Sequence, residues 1–371
     1  ALFYDLYKND FIHKNICFIF GLNGFIMNLC GLCKNYREKY IHYCKFVENK
    51  NDKDNKNNNN DNNKNDKDNN KNDKDNKNNN NEKIIPTKFK KQYNIFLKNN
   101  ENVVNNSISM KKNYIITGPN ASGKTTLLKT TLLNIIFSQQ FGFGCYENAC
   151  INPYDNIFCY INIPDTNGRD SLFQSEARQS LDILHKIERN ENNDIENINN
   201  NNNNKKINKN KKVERKRYFC IFDELFSGTN PEEATISAKA YLHYLSENKN
   251  IDFMITTHYY NICDLQEIIE NDNTKNKNIN NNNINKKYKS IENIHLETYL
   301  NENNEKHTEN NENYIEDREK QENTNNFTKL NQFTYTYKIK KGISKVKGGL
   351  KVLVDLQYPE KVLQYLVKYN Y

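Results

Sequence analysis

Apolar positions along the chain fall into two periods. Tyr114–Thr117, Tyr218–Phe222 and Phe253–Thr256 are continuous apolar runs bounded by polar residues, and they predict strands buried on both faces. Phe333, Tyr335, Tyr337 and Ile339 alternate with polar residues and predict a strand with one covered face. Ile294–Leu296 marks a further strand within 289–300. Helical spacing predicts helices over Thr125–Phe137, from Gly168 to about Glu188, over Pro231–Glu247, and after Pro359. Residues 1–48 carry apolar and aromatic side chains at helical spacing and read as a helical segment. Residues 84–189 open at Pro86 with a short extended stretch. Strands alternating with helices predict an α/β fold, its sheet largely parallel and flanked by helices.

Composition divides the chain further. Residues 49–81 contain nothing but Asn, Asp and Lys, and 190–212, 270–288 and 301–326 are nearly as biased. Such tracts cannot bury enough apolar surface to offset their chain entropy, so they are expected to be disordered insertions. A surface loop accommodates them because closure entropy grows only logarithmically with length. The expected organisation is a helical segment over 1–48, an insertion over 49–83 and one domain over 84–371. That domain is interrupted at about 190–212, 270–288 and 301–326. What lies outside the tracts suffices for one sizeable core and an accessory piece. The first residue is Ala, read as the start of a fragment.

Several function classes drop out. No heptad array or short-period repeat runs through the predicted ordered parts, which excludes a coiled coil or solenoid. Nine cysteines, odd in number and scattered through apolar runs, do not form a secreted disulfide framework and are expected to be reduced. Cys30-x-x-Cys33 with His42 and Cys44 matches no usual zinc spacing. Ile16–Cys33 is eighteen residues without a charge. Its three glycines and two asparagines favour a buried core helix over a membrane span. The net charge of +8 permits nucleic-acid contact without arguing for it.

Gly118-Pro-Asn-Ala-Ser-Gly-Lys-Thr125 carries the sharpest chemistry. It follows a predicted strand and opens a predicted helix, the context that makes G-x-x-x-x-G-K-[ST] a phosphate-binding loop. Backbone N–H groups and the helix dipole form a nest for phosphates. Gly118, Pro119, Asn120, Ala121, Ser122, Gly123, Lys124, Thr125 and Thr126 are therefore the candidate ATP contacts. Lys124 reaches the β- and γ-phosphates, and Thr125 ligates Mg²⁺. The strand Tyr218–Phe222 ends in Asp223 and Glu224, which puts two carboxylates at the edge where α/β sheets bind ligands. Asp223 is the second candidate for Mg²⁺, through water, and Glu224 the candidate that orients and polarises attacking water. Two adjacent acids after such a loop predict an ABC-like phosphate-loop ATPase rather than a kinase or small GTPase. His258, at the end of a third strand, is a candidate γ-phosphate contact. Ser171 or Asp170 can cap the helix that Gly168 opens, and that helix end suits phosphate.

Taken together, these segments resemble the ATPase domain of MutS-type DNA mismatch-repair proteins. The quoted residues are Ile116-Thr-Gly-Pro-Asn-Ala-Ser-Gly-Lys-Thr125, Asp223-Glu-Leu-Phe-Ser-Gly-Thr229 and Thr256-Thr-His-Tyr259. Ile294-His-Leu296, Lys341-Gly-Ile-Ser344, Gly348-Gly349 and Tyr358-Pro-Glu360 complete the likeness. It covers 87–189, 213–269 and 289–371, and more weakly 1–48, which is similar to the helices entering that domain from the lever and core region. The resemblance implies two such domains face to face, with Gly168–Glu176 of one reaching the other's nucleotide through Ser171. It implies ATP and Mg²⁺ as cofactors, mismatched duplex DNA and a second MutS-type subunit as partners, and the nucleus, with an organelle as the alternative. No membrane contact is expected. Asp170, Phe226 and Ala234 depart from the family pattern, and the mismatch-reading and connector domains are not in this chain. The competing reading is an ABC-type ATPase of a membrane-associated transport machine, anchored by Ile16–Cys33. The Leu-Ser-Gly-Gly-Gln signature of transporter ATPases is not found.

Overall fold

The computed structural model describes residues 10–47, 85–97, 103–161, 171–203, 216–278, 288–300, 333–344, 346, 352–353 and 356–368. The tracts 49–83 and 301–326, Gly168–Asp170 and Gly348-Gly349 lie outside them. The fold is mixed α/β with two sheets. Strands β1 (His42–Phe46), β2 (Lys88–Gln92), β3 (Asn106–Ser109), β4 (Asn113–Thr117), β5 (Phe143–Gly144), β6 (Asn148–Ile151) and β7 (Asn156–Tyr160) come first. They are followed by β8 (Tyr218–Asp223), β9 (Ile251–Thr256), β10 (Ile291–Leu300) and β11 (Phe333–Lys341). The helices are α1 (Asp10–Arg37), α2 (Lys124–Phe141), α3 (Leu172–Asn203), α4 (Pro231–Ser246), α5 (Leu265–Asn278) and α6 (Glu360–Lys368).

The larger sheet runs β11-β10-β4-β9-β8-β7, parallel throughout except for the antiparallel edge β10–β11. Its central strands are apolar on both faces because both faces are covered. On one face Tyr218, Cys220, Phe222, Phe253 and Ile255 pack under Ala234, Ala238 and Leu242 of α4 and Ile183 and Ile187 of α3. On the other, Phe219, Ile221, Met254 and Ile116 meet Leu127, Leu128 and Ile135 of α2. That second core continues through Phe89, Ile108, Ala149 and Ile151 into the smaller sheet, ordered β3-β2-β6-β1-β5. The layering leaves the C-terminal ends of β4, β9 and β8 side by side, which positions the loops that follow them.

Four expectations need correction. Residues 1–48 are not helical throughout. His42–Phe46 form β1, parallel to β6 and antiparallel to β5, because pairing partners brought by distant sequence override a weak local preference. Ile16–Cys33 lies within α1 as a helix but not as a core element. Phe18, Phe20 and Phe25 are 60–71% exposed, and the last turn is anchored by Tyr36, which meets Tyr43 and Phe143 edge-on. Among the described residues no helix is long and apolar enough to cross a membrane. Beyond the expected boundary at 190, α3 runs on to Asn203, since propagating a formed helix adds a hydrogen bond for each residue fixed. Likewise α5 continues to Asn278 inside the tract expected at 270–288. There the Asn273 amide bonds both the N–H and the carbonyl of Tyr288, at 2.8 and 3.2 Å, tying the tract back to the fold.

Candidate phosphate and acid cluster at the sheet edge

The loop 118–123 leaves β4 and enters α2. Its two glycines are required by their backbone. Gly118 and Gly123 stand at φ +151° and +95°, and a Cβ on Gly123 would come within 3.1 Å of the Tyr337 ring. Ala121 also adopts positive φ, at 62°. The loop folds round the Lys124 side chain, whose ammonium donates to the carbonyls of Gly118 at 2.8 Å and Pro119 at 3.1 Å. Burial lowers the Lys124 pKa, while the Glu224 and Asp223 carboxylates oppose that shift. Ser122 is buried, and its N–H donates to Pro119 O at 3.3 Å. Asn120, Ala121, Thr125 and Thr126 line the adjoining cavity.

The two acids reach this loop from β8. The Thr125 hydroxyl lies 3.1 and 3.0 Å from the carboxylate oxygens of Asp223. Glu224 follows in the left-handed region, φ 55°, which turns its carboxylate toward His258, with Oε1 3.1 Å from Nε2. His258 Nε2 also stands 3.3 Å from Lys124 Nζ. The hydrogen bond from His258 holds the Glu224 carboxyl below its usual range against the opposing effect of burial. Lys124, Thr125, Asp223, Glu224 and His258 therefore converge, each from an element that the apolar pattern marks out.

Ser171 is not drawn into this cluster within its own chain. It caps α3 in a reciprocal box, Gln174 N–H donating to its Oγ at 3.3 Å and its own N–H to Gln174 Oε1 at 3.0 Å. The same helix is latched to the loop after Glu224. Buried Glu176 accepts from Ser227 N–H and Oγ at 3.1 and 3.0 Å and from Gly228 N–H at 3.0 Å. Phe226, at φ 61°, packs edge-on against Phe173 and Tyr241. A side chain on Gly228 would collide with Leu172 and Phe173.

Sequence reasoning missed a wall of the site. A cavity of about 550 Å³ opens beside the loop 118–123, lined also by Tyr93, Leu97, Val103, Val104, Leu296 and Tyr337. Tyr337 reaches it because the β10–β11 register shifts between Leu296 and Thr298 and Tyr337 sits at φ 57°. Such an irregularity re-aims a side chain. Asn106 of β3 fixes the strand there, its amide bonding Tyr337 O at 2.8 Å and Ile339 N–H at 2.9 Å. The alternation of β11 was the available signal, but it carries no information on where a register breaks.

Residues 114–192 match the model of MutS domain V. The chain is 28% identical over 153 residues to the DNA mismatch repair protein MutS of Treponema denticola, covering 41% of this chain and 14% of that protein. It is 27% identical over 172 residues to the protein of the same name from Lactobacillus acidophilus, covering 45% and 17%. The MutS resemblance is shown. The matched segment contains the loop 118–123, α2 and the start of α3. The chain spans about a sixth of the length of the MutS proteins it matches.

Proposed function

We propose that this chain is the ATP-binding and ATP-hydrolysing module of a DNA mismatch-repair protein, acting as a dimer with composite ATP sites. One observation carries the reading. The loop 118–123 with Lys124 and Thr125, two acids and a histidine meet within hydrogen-bond distance at the ends of three adjacent parallel strands, and the loop lies in residues 114–192, which match MutS domain V. The main sheet with its loop between β4 and α2 is then an ABC-like phosphate-loop NTPase fold, and 84–371 is the ATPase domain.

The residues divide the work by chemistry. N–H groups of 120–124 and the α2 N-terminus attract the phosphates. Lys124 exchanges the Gly118 and Pro119 carbonyls for phosphate oxygens. A hydroxyl and a carboxylate, Thr125 and Asp223, are the hard oxygen donors that suit Mg²⁺, and they already lie about 3 Å apart. When bound there, Mg²⁺ would neutralise phosphate charge. Glu224, kept ionised, orients a water and takes its proton, and His258 Nε2 leaves Glu224 to contact the γ-phosphate. Tyr93, Leu97, Val103, Val104 and Tyr337 form an apolar slot for the base. Tyr337→Ala should weaken ATP binding roughly tenfold, since an aromatic–base stack contributes about 1–3 kcal/mol. Tripolyphosphate, which has no base, should bind both proteins alike in calorimetry. Equal weakening for both ligands would place the base elsewhere.

Ser171 is assigned to the partner's site, mismatched DNA to regions outside this chain, and the nucleus to its compartment. Mixing Ser171→Ala with Lys124→Ala, each inactive alone, tests the dimer. The heterodimer places both lesions on one composite site and leaves the other whole, so hydrolysis should return to a substantial fraction. If the mixture stays inactive while the heterodimer is present, the composite site is wrong; if Ser171→Ala alone hydrolyses ATP like the wild type, Ser171 is only an N-cap, worth about 1 kcal/mol of stability.

A further inference from the structure

Thr256 touches both acids at once. It is the last residue of β9, wholly buried, and stands opposite Asp223 in the parallel register with β8. Its hydroxyl proton is given to Asp223 Oδ1, at 2.5 Å. The Thr256 hydroxyl oxygen in turn accepts the Glu224 N–H at 3.2 Å, and the Thr256 carbonyl shares that N–H at 3.2 Å. Each contact constrains a different group. A hydroxyl has one proton, so committing it to Oδ1 fixes the rotation of the Asp223 carboxylate and leaves lone pairs of Oδ2 toward Thr125. Glu224 sits in a backbone region that is unfavourable for a side chain with a Cβ, and such a conformation persists only where its surroundings over-determine it. The bifurcated acceptor on Thr256 does that. It draws the Glu224 N–H back into β9, so the chain turns at Glu224 and its carboxylate swings to His258.

We propose that Thr256 is a positioning residue for hydrolysis, its hydroxyl aligning Asp223 toward the Thr125 side of the site and anchoring the Glu224 turn. The inference rests on the reading that Thr125 and Asp223 hold Mg²⁺ beside ATP. Its test uses nucleotide binding followed by calorimetry and by thermal shift across a Mg²⁺ titration, with turnover measured separately. Thr256→Val keeps the β-branched shape and removes only the hydroxyl. The Mg²⁺ concentration giving half-maximal effect on ATP binding should rise roughly tenfold or more, the usual loss when a partner behind a metal ligand is removed. ATP binding without Mg²⁺ should stay as in the wild type, and kcat should fall at least as far as Mg²⁺ affinity. Thr256→Ser restores the hydroxyl and should return the Mg²⁺ dependence to that of the wild type.

The outcomes separate cleanly. Wild-type protein whose ATP binding ignores Mg²⁺ overturns the reading beneath the inference. Wild-type protein that responds to Mg²⁺, with Thr256→Val responding identically, overturns the inference alone. Should Thr256→Val fail to fold, Thr256→Ser and Thr256→Ala decide it. Retained Mg²⁺ dependence in the serine variant and loss in the alanine variant supports the role, and equal behaviour of the two refutes it.

Discussion

Lys124→Ala should abolish nucleotide binding. In the structure its ammonium is almost enclosed and held by two carbonyls of its own loop. Those bonds keep the cation over the cradle, and phosphate oxygens are stronger acceptors than the carbonyls they replace. Losing two charge-assisted hydrogen bonds, at about 1.5–3 kcal/mol each, lowers affinity at least a hundredfold. The nucleotide-free protein should not suffer in parallel. Burial disfavours the charged amine, as its lowered pKa records, so removing it also removes a desolvation cost. Its melting temperature should hold or rise. Calorimetric titration with ATP, alongside a melting curve without it, checks both halves. Binding kept within a few fold of the wild type would remove Lys124 from the phosphate site.

What the sequence made legible follows from which interactions are local. β4, β8 and β9 show as continuous apolar runs because both faces are covered, and a covered strand has no polar face to confuse the period. The loop 118–123 is legible because two glycines at fixed spacing meet a backbone requirement that few other residues satisfy. Legibility fails where distant partners decide. β1 is a strand through β5 and β6, which lie about a hundred residues downstream. Asn273 reads as one more residue of a polar tract, yet it closes the chain onto Tyr288. Tyr337 faces the cavity through a register shift, and pattern gives position along a strand without its pairing. Thr256 is hidden for another reason. At the end of an apolar strand threonine is an ordinary β-branched residue, and only the register opposite Asp223 gives its hydroxyl two partners.

Glu224→Gln should keep ATP bound and stop its hydrolysis. The substitution preserves size, and the turn at Glu224 is held through its backbone N–H, which glutamine retains. Thr125 and Asp223 are untouched, so Mg²⁺-dependent binding should match the wild type. What is lost is the proton acceptor. A well-placed general base contributes about 10²–10⁴-fold, and single-turnover hydrolysis should fall by that amount. The electrostatics add a pH signature. Glu224 is held below its ordinary 4.5, first by the hydrogen bond to His258, with burial opposing. In the nucleotide-free protein a lowered carboxylate pKa leaves the base ionised further into acid, so the acid limb that Glu224 sets in kcat/KM, which reports the free protein, should lie below the ordinary carboxylate range. Removing the imidazole with His258→Ala should move the Glu224 titration upward in the nucleotide-free protein, read by NMR of the side-chain carboxyl carbon. The two acids are thereby told apart. Loss at Asp223 should weaken Mg²⁺-dependent binding, whereas loss at Glu224 should spare it. If Glu224→Gln and Lys124→Ala lose ATP binding equally, the carboxylate is holding the ligand and the base must be sought elsewhere in the cluster.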